Sequence, residues 1–390
     1  MTTSPAAPRS DELAARFFSP EEIARSRAYH RPLYAAYAAG AVITLGYLAA
    51  AAFSPLGRWL AAPVDDLPRW AYALSYTAIV VAAGAVVRFP LSYWRSYRYE
   101  HRWGFSTQSF RGWLVDWGKG LAVQIVLLTA VLLGLVELAA TMHDAWPLGA
   151  VPAVAAVVVF LSFVQPVVLE PIFHKFKPLD DAELAGSLRG LAERAGTPVR
   201  DVLVADASRR TRKENAYVSG LGSTRRVVVY DTLLGRGSNR EIELIAAHEL
   251  GHRKDRHVLW GTTLGALGSM TAVIVLWALL RSSAVLTAIS ASGPADPRVV
   301  PFVLFVSEAL ELLSMPLLTG VSRRWEAAAD RFGIRLTGDA EGYAEMAKNL
   351  GTANLADLTP ALPVYYLLFT HPSIPERIQS ALSATRPTTV

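Results

Sequence analysis

Six stretches of this chain are long and apolar enough to cross hydrocarbon as helices, and they constrain its fold more than any other feature. They run over residues 33–53, 70–89, 120–140, 148–169, 258–280 and 299–318. About 20 apolar residues span the ~30 Å core of a bilayer as a helix. Within that core only helices and closed barrels satisfy their own backbone groups. The plain alternative is a set of buried helices in a water-soluble enzyme. Six such runs argue against it, as does a 390-residue chain that is 52% hydrophobic and only 18% charged.

Lys and Arg set the expected orientation. Arg9, Arg16, Arg25, Arg27 and Arg31 precede the first span, and Arg95, Arg98, Arg102 and Arg111 lie between the second and third. The segment after the fourth span and the region after the sixth are also basic. The first connection holds Arg58 and Arg69, while residues 142–147 contain neither Lys nor Arg. Both termini, the second connection and the long segment after span four are therefore expected on the cytoplasmic side. The first thirty residues hold no apolar signal-peptide core, so the first span reads as an uncleaved anchor. There is no cysteine, hence no disulfide and no thiolate chemistry. The net charge of +5 is what positive-inside loops produce, and no nucleic-acid-binding module accompanies it.

The chemistry is carried by His248-Glu249-Leu250-Gly251-His252, an H-E-x-x-H run. On a helix the two histidines share a face, and both imidazoles can hold one Zn²⁺. Glu249 lies beside them, placed to take a proton from water activated by the metal. Ile242, Leu244, Ile245 and Leu250 give the apolar face at helical spacing, and Arg253–Arg256 follow. Two surface histidines on an ordinary helix are the bland alternative. A catalytic zinc needs a third protein ligand and an open position. The strongest candidate is Glu326, four residues before Asp330 and separated from it by three alanines that let this helix approach the first. Asp330 then reads as the acceptor that orients a ligating imidazole. Taken alone, the pair is better read as a solvated Glu/Asp face.

Two segments are polar enough to fold outside the bilayer. The first opens with a helix over 181–195, a short strand at 202–205 and the stretch Asn215 to Gly222, then a β-branched strand at 226–230 ahead of the zinc helix. Asn215 and its neighbours either offer a sheet edge for peptide pairing or form a plain hairpin. The second supplies the Glu326 helix and a further helix ending near Leu382. The chain thus divides into an N-terminal cytoplasmic segment (1–32), spans one to four (33–174), a cytoplasmic metalloprotease segment (175–257), spans five and six (258–320), and a C-terminal segment completing the zinc site (321–390).

Read in order, these motifs make the chain similar to the type I CAAX prenyl endopeptidases, a family of integral-membrane zinc metalloproteases. The similarity is carried by Phe18-Ser19-Pro20-Glu21-Glu22 with Ser26-Arg27-Ala28-Tyr29, Glu100 to Ser106, Glu170 to Leu179, Asn215-Ala216-Tyr217 and Asp231 to Leu234. His248 to His252, Arg323 to Asp330, and His371-Pro372-Ser373 with Glu376-Arg377-Ile378 complete it. The resemblance implies a mostly α fold, a multi-span membrane helix bundle around a water-filled chamber, capped by a small cytoplasmic α+β zinc metalloprotease domain. It implies His248, His252 and Glu326 as zinc ligands, Glu249 as base and Asp330 as their support. Asn215 and His371 match polar groups placed to bind the peptide and steady the tetrahedral intermediate. Glu137, Glu308 and Glu311 are candidates for the chamber wall or for hydrogen bonds between helices. Eukaryotic members have seven spans where six are read here.

The expected activity is zinc-assisted hydrolysis of membrane-associated or prenylated-type protein substrates, with membrane lipids as further partners. The Ala- and Arg-rich composition reads as bacterial, which places the protein in a plasma membrane. A membrane quality-control metalloprotease of the same superfamily is the rival enzyme, and a non-catalytic zinc-dependent membrane sensor the rival from another class. Nothing in the pattern sets an oligomeric state.

Overall fold

Every apolar stretch lies inside a longer helical run, because the polar residues beside it continue the helical hydrogen bonding. The computed structural model describes residues 10–220 and 222–384; Arg9, Leu221 and the chain ends lie outside them. Helix α1 (Pro20–Phe53) starts well before residue 33, where Ser19 and Glu22 close a capping box with Pro20 at the first helical position. Next come α2 (Arg69–Tyr93), α3 (Phe110–Met142) and α4 (Trp146–Val164). The cap begins with β1 (Phe176–Pro178), α5 (Ala182–Arg194), β2 (Asp201–Ala205), β3 (Ala216–Ser219), β4 (Arg226–Tyr230) and α6 (Asn239–Lys254). Helices α7 (His257–Leu280), α8 (Val300–Thr337), α9 (Ala340–Ala353) and α10 (Ile374–Ser383) follow.

Among the described residues, five helical runs are long and apolar enough to cross a membrane, against the six expected. The difference lies in the 64-residue run Phe110–Phe173. Straight, it would be about 96 Å long, some three times the hydrocarbon thickness. It is not straight. A 3₁₀ turn at His143–Ala145, with His143 at φ 48°, breaks it and lays α4 against α3. The stretches 120–140 and 148–169 are therefore the two arms of one helical hairpin. Glu137 does not stand free in the bundle: Arg69 donates to both its carboxylate oxygens at 3.2 and 2.8 Å.

The bundle and the cap have separate cores. Tyr76, Val80, Trp146, Leu276, Leu280 and Val300 anchor the first. Leu188, Val229, Ile242, Leu244, Leu250 and Tyr343 anchor the second, around a four-stranded sheet of order β1-β2-β4-β3. Strands β2 and β4 are parallel and the other pairings antiparallel, so β3 is an edge strand and also one arm of a hairpin with β4. Helix α8 joins the two cores. Its 38 residues run unbroken through the boundary expected at 320, and carry the chain from the bundle to Glu326 and Asp330 before Gly338 ends it at φ 65°.

Candidate metal centre

Ser238 caps α6, its side chain and that of Glu241 satisfying each other's backbone N–H groups. The apolar face of α6 buries against the cap core, which turns His248 and His252 towards α8. The approach of the two helices is close because of glycine. A Cβ on Gly251 would sit 3.0 Å from the Ala329 Cα, and one on Gly333 would sit 3.2 Å from the His248 nitrogen. Of the three alanines expected to allow the approach, Ala329 is the one fully buried there.

His248, His252 and Glu326 come together as one group. The two imidazole Nε2 atoms are 3.2 Å apart, His248 Nε2 is 3.1 Å from Glu326 Oε2, and His252 Nε2 is 3.4 Å from Oε1. Two bare imidazole nitrogens pointed at one another repel unless a proton or a cation lies between them. Glu326 Oε2 is buried and finds no partner of hydrogen-bond geometry, although His248 and His371 Nε2 lie within 3.2 Å. Four-coordinate zinc with bonds of about 2.0–2.1 Å separates neighbouring ligand atoms by about 3.3 Å. The donor set and its spacing fit zinc.

Behind His248 stands a charged assembly. Its Nδ1 lies 2.8 Å from Asp330 Oδ1 and 3.0 Å from the Tyr343 hydroxyl, which itself donates to Asp330 at 2.7 Å. Arg377 closes on both Asp330 oxygens at 2.9 and 2.7 Å. All four side chains are buried. Burial pushes the His248 imidazolium down, but the close carboxylates of Asp330 and Glu326 outweigh it and hold the group up to about 9. Burial likewise works against the Arg377 guanidinium, and the Asp330 charge raises it regardless. The sequence pattern pointed to Asp330 but not to Tyr343. Arg377 stood in a recognised motif without a role.

His252 is supported differently. Its Nδ1 meets Nδ1 of His257 at 2.9 Å, a contact with no signal in the motif itself.

His371 reaches Glu326 Oε2 with its Nε2 at 3.2 Å, and Thr370 Oγ1 lies 2.8 Å from its other nitrogen. Its loop is tied down by Arg323, which donates to the carbonyls of Tyr365 and Phe369 at 2.9 and 2.6 Å, and by the Ser373–Glu376 capping box. Glu249 is half-buried on α6 with Arg253 as a charged neighbour, and no hydrogen bond engages its carboxylate among the described residues. Asn215 stands apart: it is exposed just before β3, its carbonyl accepts the Tyr230 N–H at 3.0 Å, and none of its hydrogen bonds reaches the metal group.

That bond also sets what β3 offers. With residues 215 and 230 a hydrogen-bonded pair, Ala216 and Val218 turn their N–H and C=O groups to the free edge. The Val218 carbonyl is taken by the Arg253 guanidinium. A cavity of about 550 Å³ lies at the opposite end of the bundle between Arg69, His143 and Asp296, and includes none of the metal group.

Comparison with known proteins accounts for both halves of the chain. Residues 178–385 match the model of peptidase family M48, and residues 6–175 match the CAAX prenyl protease N-terminal family, described as five membrane helices. In that range the described residues form three apolar runs, the third folded into a hairpin. The metalloprotease YhfN of Bacillus subtilis is 29% identical over 83% of this chain and 76% of its own length. CAAX prenyl protease 1 of Saccharomyces cerevisiae is 27% identical over 79% and 71%. The crystal structure of S. mikatae Ste24p superposes with a TM-score of 0.81, covering 96% of this chain and 94% of that one at 24% identity, which shows a shared fold. With more than half its length matched, the chain belongs to peptidase family M48 and is a multi-pass membrane zinc metalloendopeptidase.

Proposed function

We propose that His248, His252 and Glu326 hold the zinc and that Glu249 is the general base for hydrolysis of membrane-associated protein substrates. The observation that carries this reading is the convergence of three side chains from two separate helices, with facing atoms 3.1–3.4 Å apart. When bound, zinc supplies Lewis acidity, making water nucleophilic near neutral pH and polarising a carbonyl.

The chain's own residues do the rest. Glu249 takes the proton of the attacking water and passes it to the amine that leaves. His371 donates an N–H to the carbonyl oxygen as charge develops there, a role typically worth ~2.7–4 kcal/mol. Asp330 accepts the Nδ1–H of His248 and leaves Nε2 facing Glu326 and His252. The peptide lies as an added strand along β3, pairing with the free groups of Ala216 and the Val218 N–H, with Asn215 at the entry of that edge.

The named relatives favour a prenylated C-terminal peptide as substrate, and the bundle is the place for its lipid. The Ala- and Arg-rich composition favours a bacterial plasma membrane, and basic residues favour a cytoplasmic zinc end. Arg95, Arg98, Arg102 and Arg111 cluster there, whereas at the far end Arg69 and Arg298 are neutralised by Glu137 and Asp296.

The test is cleavage of a fluorogenic peptide by detergent-purified, zinc-loaded protein, with prenylated and unprenylated forms side by side. Cutting confined to the prenylated form is expected, and equal cutting of both would replace this substrate with a broader quality-control range. Glu249→Gln is expected to keep its zinc and lose about 10²–10⁴-fold in kcat. Undiminished turnover of that variant would sink the assignment of the base.

A further inference from the structure

His257 is neither a proposed ligand nor part of the peptide seat, yet its ring is buried against the second histidine of the motif. We propose that His257 is a positioning residue whose Nδ1 accepts the Nδ1–H of His252, setting the tautomer and the direction of the lone pair that His252 turns to the metal. The inference rests on His252 being a zinc ligand.

A neutral imidazole carries one N–H, and the nitrogen that meets a metal must be bare. If His252 presents Nε2 to zinc, its proton sits on Nδ1 and needs an acceptor. Among the described residues, His257 Nδ1 at 2.9 Å is the one group within hydrogen-bond reach of it. His257 must then offer a bare Nδ1 and carry its own proton on Nε2, which faces Asp255 Oδ2 at 4.0 Å. The Asp255 carboxylate lies beyond hydrogen-bond reach at that distance, so the support behind His252 is one imidazole bonded to another, unlike the direct Asp330–His248 contact.

The backbone builds this line at a helix break. Helix α6 ends at Lys254, Arg256 adopts a left-handed conformation at φ 56°, and the chain restarts at His257 as the first residue of α7. The reversal swings the His257 ring back over the last turn of α6. A non-glycine residue at positive φ is uncommon and costs energy, so something must hold it. Trp325 does so on the other side. Its indole stacks on the imidazole at 5.0 Å and 10° between planes, and Trp325 immediately precedes Glu326. One ring therefore contacts the second proposed ligand and the neighbour of the third.

A ring that merely packs against Trp325 predicts different consequences from a ring that accepts a proton. His257→Phe keeps an aromatic stack and loses the acceptor. His257→Asn loses the stack, while its Oδ1 can stand where Nδ1 stood. The measurement is the zinc dissociation constant of the full-length protein in detergent, by competition with a chromophoric chelator, with Tm recorded with and without zinc. His257→Phe is expected to weaken zinc binding 10–100-fold, and His257→Asn to recover most of that loss. Zinc binding by His257→Phe equal to wild type, or binding by His257→Asn no better than by His257→Phe, would overturn the proposal. His252→Ala is the reference: wild type binding no tighter than this variant would remove the ligand assignment itself, a separate failure.

Discussion

His248 and His252 face one metal position from the same helix, but behind them the protein is built in two different ways. The His248 side is charged and sealed, with Asp330 held between His248, Tyr343 and the forked Arg377 guanidinium. The His252 side is half-buried and, among the described residues, has no charged group within hydrogen-bond reach of Nδ1, only the Nδ1 of His257 at 2.9 Å. A buried ion cluster holds only while complete, because each charge left alone keeps its full desolvation cost. A chain of neutral hydrogen bonds fails more gently, losing about 0.5–1.5 kcal/mol per bond. The first arrangement couples the metal site to the folding of the cap, and the second couples it to the start of α7.

The sharpest way to break this comparison is Asp330→Ala. It strands the Arg377 guanidinium in the cap interior and should cost about 3–5 kcal/mol of stability, seen as a lowered Tm in the absence of added zinc. The double variant Asp330→Leu with Arg377→Met should recover much of that stability while zinc affinity stays low. If the single variant melts like wild type, the two sides are not different in kind.

The His252 half of this contrast could not be read from the chain. The i,i+4 spacings of His248/His252 and Glu326/Asp330 are local, and a helix converts each into a shared face whatever surrounds it. The apolar runs are local too, so the bundle was legible, including the link at residues 142–147 where the turn at His143 falls. His257 lies only five residues beyond His252, but its contact depends on a left-handed arginine, and arginine gives no signal of that conformation. Tyr343 and Arg377 reach Asp330 from 13 and 47 residues away on other helices, distances at which no periodicity operates. Asn215 shows the opposite failure. The sequence leaves its stretch open between a sheet edge and a plain hairpin, and the strand that follows it is both. Its side chain has no contact with the metal group, however, so its proposed role rests on the peptide that would lie between them.

Tyr343→Phe probes the charged side without stranding a charge. The hydroxyl donates to buried Asp330 at 2.7 Å, and hydrogen bonds to charged groups contribute about 1.5–3 kcal/mol. Stability measured by denaturant should fall by roughly that amount, with no change in the slope of the unfolding curve. Zinc affinity should fall with it, because Asp330 is then free to shift away from His248 Nδ1. A stability loss with zinc affinity untouched would mean that Tyr343 packs the cap and does not steer the ligand.

The effect that is smallest per step, about 1.4 kcal/mol for each pH unit, is a pH dependence, and it belongs to the His248 side. The Asp330 and Glu326 contacts raise the His248 imidazolium to about 9 against the opposing effect of burial, so in the metal-free protein at neutral pH this ring is charged. Zinc needs its Nε2 bare, and binding must expel that proton. Below pH 9 each unit of acidification should therefore cost about tenfold in zinc affinity, or about 1.4 kcal/mol, and the slope should flatten as pH rises through 9. Zinc titrations at fixed ionic strength between pH 6.5 and about 9.5, in two buffers of different ionisation heat, would count the protons released. A flat profile below pH 9 would mean that His248 is already neutral in the metal-free site, leaving the Asp330–Arg377 assembly to hold the ring's direction without holding its charge.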